Sequence, residues 1–258
     1  MNYKKTICDS FNKGSESYDM YSKIQVIASN FLLHKLLKYL KKNRKYSILE
    51  LGSGTGHLTS LIAKNLHFKK IVACDISSKM ILKSKKKVLI NKKKKSKIEQ
   101  IFFLEKDFDK INFFNNFNLI TSNMSLHWSE NISKLINNIL SNSQSDSIFS
   151  FTVPNNNSFS ELSKEYLNTR KSVVLNSLPD HELLKNMLKI NKTRVFADEF
   201  KHDFIFPNAL DFLRQLKRIG TGIKLIDQKN NLFFLRSIQK KTFKVSYYIS
   251  CFIVFIND

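Results

Sequence analysis

Tyr46-Ser47-Ile48-Leu49-Glu50-Leu51-Gly52-Ser53-Gly54-Thr55-Gly56-His57-Leu58 is the stretch from which the rest of this 258-residue chain can be placed. Ile48, Leu49 and Leu51 form the short apolar run of a buried parallel strand. Gly52, Gly54 and Gly56 then bring together three of the chain's six glycines. Glycines so spaced accept positive φ and let a ligand approach the backbone closely. Leu58, Leu61, Ile62 and Leu66 recur at helical spacing, so the unit reads strand, glycine turn, helix. A dinucleotide-binding turn needs G-x-G-x-x-G. His57 occupies the third glycine position of that pattern, which excludes it.

The spacing present, Glu50-x-Gly52-x-Gly54-x-Gly56, resembles the first motif of the class I S-adenosylmethionine-dependent methyltransferases. The resemblance implies that Glu50 helps fix the loop and the methionine ammonium. It also implies that the three glycines make room for the methionyl and ribose portions of the cofactor.

The strands that follow supply the partners such a ligand needs. Ile71–Cys74 reads as a second strand ending in Asp75. That residue lies roughly 20 positions past the turn, where a carboxylate can accept from both ribose hydroxyls. Ile76 adjoins it, and Ser77, Ser78 and Met80 open a helix. An Asp there can also serve only as a helix cap. Ile98–Leu104 reads as the third strand, followed by Asp107-Phe108. In the family resembled, an acidic residue here accepts from the adenine amino group and its apolar neighbour packs on the ring; a carboxylate only accepts. Phe117–Thr121 reads as the fourth strand and runs into Ser122-Asn123-Met124-Ser125-Leu126-His127-Trp128. The end of that strand lies beside the switch point of an open sheet, where acceptor meets cofactor, and Asn123 joins the cofactor set. Ile132–Leu140 is a helix, and Ser147–Val153 a fifth strand stopped by Pro154.

Ahead of this core, 17–42 reads as one long amphipathic helix with Ile24, Ile27, Ala28, Phe31, Leu32, Leu36 and Leu40 on its apolar stripe. Tyr18, near its start, is placed to close the cofactor pocket. Beyond Pro154 the alternation of strand and helix breaks. Residues 159–175 and 178–188 read as helices, 194–206 as a strand, 209–219 as a helix and 244–256 as a closing strand. The expected organisation is one domain: a helical cover at 1–45, a cofactor-binding core at 46–153, an insertion with the sixth strand at 154–242, and the closing strand at 243–258.

The net charge of +22 would attract an acidic macromolecule. The same composition, rich in Lys, Asn, Ile and Phe, is what an AT-rich genome produces, so the charge is weak evidence of function. Residues 83–97 hold nine lysines, read as a solvated, self-repelling face or as a docking face. Cys8, Cys74 and Cys251 are too few and too far apart for a disulfide framework or a metal cluster, which fits a reducing cytoplasm, and no metal is expected. The opening Met1-Asn2-Tyr3-Lys4-Lys5 lacks an apolar leader segment. The apolar run 245–256 is too short to span a membrane, and no membrane partner is expected.

Three further segments narrow the resemblance. They are Phe11-Asn12-Lys13-Gly14-Ser15-Glu16-Ser17-Tyr18-Asp19, the 122–128 stretch, and Phe212-Leu213-Arg214-Gln215-Leu216-Lys217-Arg218-Ile219-Gly220. With Val245-Ser246-Tyr247-Tyr248 they resemble the malonyl-acyl-carrier-protein O-methyltransferases of biotin synthesis, over nearly the whole chain. Two positions depart from that pattern. Phe117-Asn118 stands where relatives carry Phe-Asp, and residues 141–145 replace a Pro-Gly-Gly turn.

The resemblance implies an α/β fold of the class I methyltransferase (Rossmann-like) kind, a mostly parallel seven-stranded sheet with helices on both faces and an α-rich insertion after the fifth strand. It implies S-adenosyl-L-methionine as cofactor. The acceptor would be the free carboxylate of a malonyl thioester on acyl-carrier protein or coenzyme A, and the enzyme a monomer. A carboxylate is already ionised at neutral pH, so no general base is required. A cation should orient it, and Arg214 and Lys217, helical neighbours, are the candidates. The alternatives are an RNA methyltransferase, another small-carboxylic-acid O-methyltransferase, or a cofactor-binding scaffold without activity. Nucleic acid is the weaker partner because 122–125 is Ser-Asn-Met-Ser, not the Asn/Asp-Pro-Pro-aromatic motif of base amino methylation.

Overall fold

The computed structural model describes residues 3–90, 100–162, 178–189, 192–221 and 242–257. Its helices are α1 (Tyr3–Gly14), α2 (Tyr18–Tyr21), α3 (Lys23–Leu37), α4 (His57–Asn65), α5 (Ser78–Ile90), α6 (Ile132–Asn142), α7 (His181–Leu188) and α8 (Ala209–Arg218). Its strands are β1 (Tyr46–Leu51), β2 (Phe68–Asp75), β3 (Ile101–Glu105), β4 (Leu119–Asn123), β5 (Ser147–Pro154), β6 (Thr193–Phe206) and β7 (Phe243–Ile256).

All seven strands form one sheet in the order β3-β2-β1-β4-β5-β7-β6. The first five are mutually parallel. β7 runs antiparallel between β5 and β6. The two-residue period of a strand sorts the side chains to opposite faces. Leu49, Leu51, Ile120, Phe149 and Phe151 join the cluster with Leu135 and Ile139 of α6 and Leu184 of α7. Ile48, Leu119 and Ile148, one residue out of phase, join the cluster with Leu32 and Leu36 of α3 and Leu58 and Ile62 of α4. β1, buried almost throughout, is thus covered on both faces, as a central parallel strand must be. A third cluster joins Ile24 and Ala28 of α3 to α8 and to Val245, Tyr247 and Ile249 of β7.

The expected seven-stranded, mostly parallel sheet with helices on both faces is therefore present. The segment before β1 differs. The single helix expected over 17–42 is two: α2, one turn long, and α3, separated at Ser22, whose φ of −91° and ψ of 35° leave the helical region. The break lets α2 lie against the glycine turn while α3 packs on the sheet. Its anchor is the Asp19 carboxylate, which accepts from Thr55 Oγ1 at 2.5 Å and pairs with Lys87 Nζ at 2.8 Å. A helix at Tyr3–Gly14 was not expected; Tyr3, Ile7 and Phe11, spaced by four, face the core cluster. β3 begins at Ile101 rather than at 98, which lies outside the described residues. The helix expected over 159–175 is described only to Leu162, and the lysine tract only to Ile90.

Candidate active site

The glycine turn leaves β1 through three left-handed residues, Gly52 (φ 69°), Gly54 (φ 54°) and Gly56 (φ 81°). They are not equivalent. A Cβ on Gly52 would run into the side chain of Ser125, while one on Gly54 would meet only open space and, at 4.0 Å, the Tyr18 hydroxyl. Gly54 therefore forms the floor of a cradle that any side chain would fill. Gly56 does a different job. It precedes α4 and abuts Ser84 of α5, so the structure places it in helix packing and not, as expected, against the cofactor.

Two carboxylates hold the turn from below. Asp75, at the end of β2, accepts from the backbone N–H of Gly54 (2.8 Å) on one oxygen and from that of Ser77 (2.9 Å) on the other. Each oxygen keeps a lone pair for a ligand hydroxyl. Glu50 is buried and accepts from Thr59 Oγ1 at 2.6 Å. Among the described residues neither carboxylate has an ion-pair partner. Burial pushes Glu50 up to about 8, helped by the nearby Asp75 charge. Burial likewise pushes Asp75 up to about 6, against the lowering effect of its backbone hydrogen bonds.

Three cavities meet here. The first lies over Asp75, Ile76, Asp107 and Phe108 and is roofed by Ile7 and Phe11 of α1. Lys4 of α1 closes one end. Its Nζ pairs with Asp107 at 3.1 Å and Asp109 at 2.7 Å and sits 4.7 Å from the Phe108 ring centroid. The second cavity runs along the glycine turn past Glu50, Gln25 and Asn123. Asn123 is fixed by donating to the Gln25 carbonyl at 3.0 Å and accepting from Thr152 Oγ1 at 2.7 Å. The third, beyond β4, is apolar: Phe11, Met124, Trp128, Phe159, Leu216 and Tyr247 contribute to it, and no Lys or Arg does among the described residues. Tyr18 lines all three, at their junction.

These features suit S-adenosylmethionine. A glycine floor, carboxylates at the ends of β1, β2 and just past β3, and the Phe108 ring match a ligand with a cationic amino-acid end, a ribose and an adenine. Glu50, Gly52, Gly54, Asp75, Ile76, Asp107, Phe108 and Asn123 line the first two cavities. When bound, the cofactor supplies an electrophilic methyl group on sulfonium.

Arg214 and Lys217, the expected carboxylate ligands, lie elsewhere. Both are on the exposed face of α8, where Arg214 pairs with Asp211 at 2.9 Å. The face of α8 turned to the third cavity carries Leu216. The apolar residues Leu210, Leu213 and Leu216 recur every third position and fix that orientation. Lys4, Ile7, Gln25 and His127 are among the lining residues that the sequence reading gave no role. The first two were legible in the spacing of α1. His127 was quoted but given no role, because which side chains of a short turn face a cavity depends on its backbone. Met124 adopts φ 52°, and the 3-10 turn Leu126–Trp128 follows.

A methyltransferase-domain family model matches residues 42–198, and the chain belongs to that family. It is an S-adenosylmethionine-dependent methyltransferase of the class I fold. Among curated proteins it is similar to malonyl-[acyl-carrier protein] O-methyltransferase 2 of Coxiella burnetii, 28% identical across 97% of this chain and 95% of that one. It is also similar to malonyl-[acyl-carrier protein] O-methyltransferases of Buchnera aphidicola (27%, 85% and 82%) and Bacillus cytotoxicus (25%, 81% and 73%). Among solved structures, magnesium protoporphyrin IX methyltransferase of Synechocystis with bound S-adenosylmethionine superposes with a TM-score of 0.56 at 12% identity, over 100% of this chain and 98% of that one. Haemonchus contortus phosphoethanolamine N-methyltransferase 2, also with S-adenosylmethionine, gives 0.59 at 15% identity, over 95% and 57%. Among the described residues no helix is long and apolar enough to cross a membrane, and no cluster of His, Cys, Asp and Glu could hold a metal.

Proposed function

We propose that this methyltransferase esterifies the free carboxylate of a malonyl thioester carried by acyl-carrier protein, an early step of biotin synthesis. The observation that carries this reading is similarity to a malonyl-acyl-carrier-protein methyltransferase over 97% of the chain, well beyond the residues common to the domain family. The cavity chemistry agrees. An amine, hydroxyl or carbon acceptor needs a base to take its proton. The one imidazole among the described residues of the third cavity, His127, is pushed by burial down to about 3 and is a poor base near neutral pH. A carboxylate arrives ionised and needs none. Alignment in a water-poor pocket then supplies much of the rate.

Arg214 and Lys217, with Arg218, are reassigned to the outside of the site as a basic face for the acidic carrier. Reversing Arg214 and Lys217 to Glu should raise KM for the malonyl-carrier protein severalfold and leave KM for malonyl-coenzyme A nearly unchanged. Equal effects on both donors would remove the docking role. The reaction itself is tested by mass spectrometry of the carrier after incubation with S-adenosylmethionine. The expected product is heavier by one methylene; an unmodified carrier would contradict the reading.

A further inference from the structure

Among the described residues, four buried polar atoms on residues lining these cavities have no hydrogen-bond partner: Ser53 Oγ and His57 Nε2 in the second, Gln25 Oε1 between the second and third, and His127 Nδ1 in the third. Buried polar groups in folded proteins are nearly always paired, so each orphan calls for a reason. Gln25 borders the second and third cavities, and its carbonyl oxygen can accept from the cationic amino end of the cofactor. His127 borders only the third, away from the glycine turn and the adenine end. It sits among aromatic walls, with its ring 5.0 Å from that of Trp128. Its loop is held firmly: the Met124 N–H donates to the Thr152 carbonyl at 2.9 Å, and the Trp128 N–H to the Ser125 carbonyl at 2.9 Å. The imidazole Nδ1 is thus held on a fixed turn with no partner among the described residues.

We infer that His127, as a neutral imidazole donating N–H, is the centre of the carboxylate-binding subsite for the methyl acceptor. The inference rests on the carboxyl-methylation reading above and names the group that does the work expected of Arg214 and Lys217.

A neutral donor suits the chemistry better than a cation. A guanidinium held in a tight pair with the acceptor would stabilise the carboxylate and lower the nucleophilicity of its oxygens. A neutral N–H fixes one oxygen and leaves the other free to meet the methyl group. Burial keeps the ring uncharged throughout the physiological range, so the donor is present without the charge. The apolar remainder of the cavity excludes water that would compete for the same oxygens.

The test compares wild type with His127→Phe, which keeps a planar ring, and His127→Asn, which keeps an N–H donor near the Nδ1 position. With malonyl-carrier protein as acceptor, His127→Phe should raise KM about 10- to 100-fold, the range of a hydrogen bond to a charged group. His127→Asn should restore most of the loss. S-adenosylmethionine affinity, measured by calorimetry, should be unchanged in both. Removing an orphaned polar group should also leave the melting temperature of His127→Phe equal to or above that of wild type, which a merely structural histidine would not do. The second arm uses protein loaded with S-adenosylhomocysteine and measures the binding preference for malonyl-coenzyme A over acetyl-coenzyme A. His127→Phe should abolish that preference. An active wild type whose KM and malonyl preference survive His127→Phe overturns the subsite while the reaction stands. A wild type that methylates no malonyl thioester ends the reaction reading, and a malonyl preference unaffected by His127→Phe then ends the subsite too.

Discussion

At the scale of single residues, the glycine turn separates three roles that its regular spacing conceals. Gly52 must be glycine because a side chain would strike Ser125, Gly54 because a side chain would fill the cofactor cradle, and Gly56 because of Ser84 on α5. Gly54→Ala should therefore cost cofactor affinity with little loss of stability beyond the roughly 1–2 kcal/mol of a left-handed alanine. Gly56→Ala should destabilise the fold more than it weakens binding. Calorimetric cofactor titration beside thermal melts distinguishes the two, and the reverse ranking would reject the assignment. The buried acids give a pH signature. Glu50 keeps its proton in the fold up to about pH 8, whereas in the unfolded chain it loses it near 4.5. Between those values the native state binds more protons, so this group's contribution to stability is full below the lower value and is lost as pH rises through the upper one. The melting temperature of the cofactor-free enzyme should fall more steeply from pH 5 to 8 than that of Glu50→Gln. Binding the cationic cofactor beside Glu50 should release protons near neutral pH, seen as a dependence of the calorimetric heat on buffer ionisation enthalpy. Glu50, Asp75 and Asp107 were legible in the sequence because each ends or follows a strand at a fixed interval. His127 was not, since its exposure to the cavity follows from the left-handed Met124.

At the scale of elements, α1 joins the two halves of the site. Its first turns roof the adenine end through Lys4, Ile7 and Phe11, and its last turn touches the end of α8. The two backbones approach closely here, and a side-chain hydroxyl ties them together. Ser10 Oγ donates to the Gly220 carbonyl at 2.9 Å, and a Cβ on Gly220, at φ 80°, would come within 2.8 Å of the Ser10 carbonyl oxygen. Gly220→Ala should therefore separate α1 from α8, lower stability by about 2 kcal/mol or more, and weaken both cofactor and acceptor binding. Chemical denaturation and KM values check this; a variant as stable as wild type would show that the two helices do not depend on the contact. The sequence carried the evidence for both helices unevenly. The spacing of Tyr3, Ile7 and Phe11 announces α1, yet a basic, polar segment without a leading cap residue is easily passed over. The faces of α8 were plain in Leu210, Leu213 and Leu216, and the same rule that buries those three sends Arg214 and Lys217 outward. The break between α2 and α3 had no local signal, because Ser22 is tolerated in a helix and yields only to the tertiary pull of Thr55 and Lys87 on Asp19.

At the scale of the whole molecule, the sheet order and the antiparallel β7 follow from elements that the hydrophobic pattern already marked, and the residues of the cofactor side follow from the ends of its parallel strands. The acceptor side was less legible, for it is assembled from α1, the turn after β4, α8 and β7, which are far apart in the chain. The charge of +22 does not choose between an acidic carrier and a nucleic acid. Under the carboxyl-methylation proposal, the apolar third cavity, with one imidazole among its described lining residues, would receive a short acyl carboxylate on a flexible arm. The most direct test supplies methyl-labelled S-adenosylmethionine with malonyl-carrier protein, malonyl-coenzyme A, aconitate or bulk tRNA in parallel. Alkali-labile label on the malonyl thioesters, and none on tRNA, is the expected result. Label appearing on tRNA alone would contradict carboxyl methylation outright.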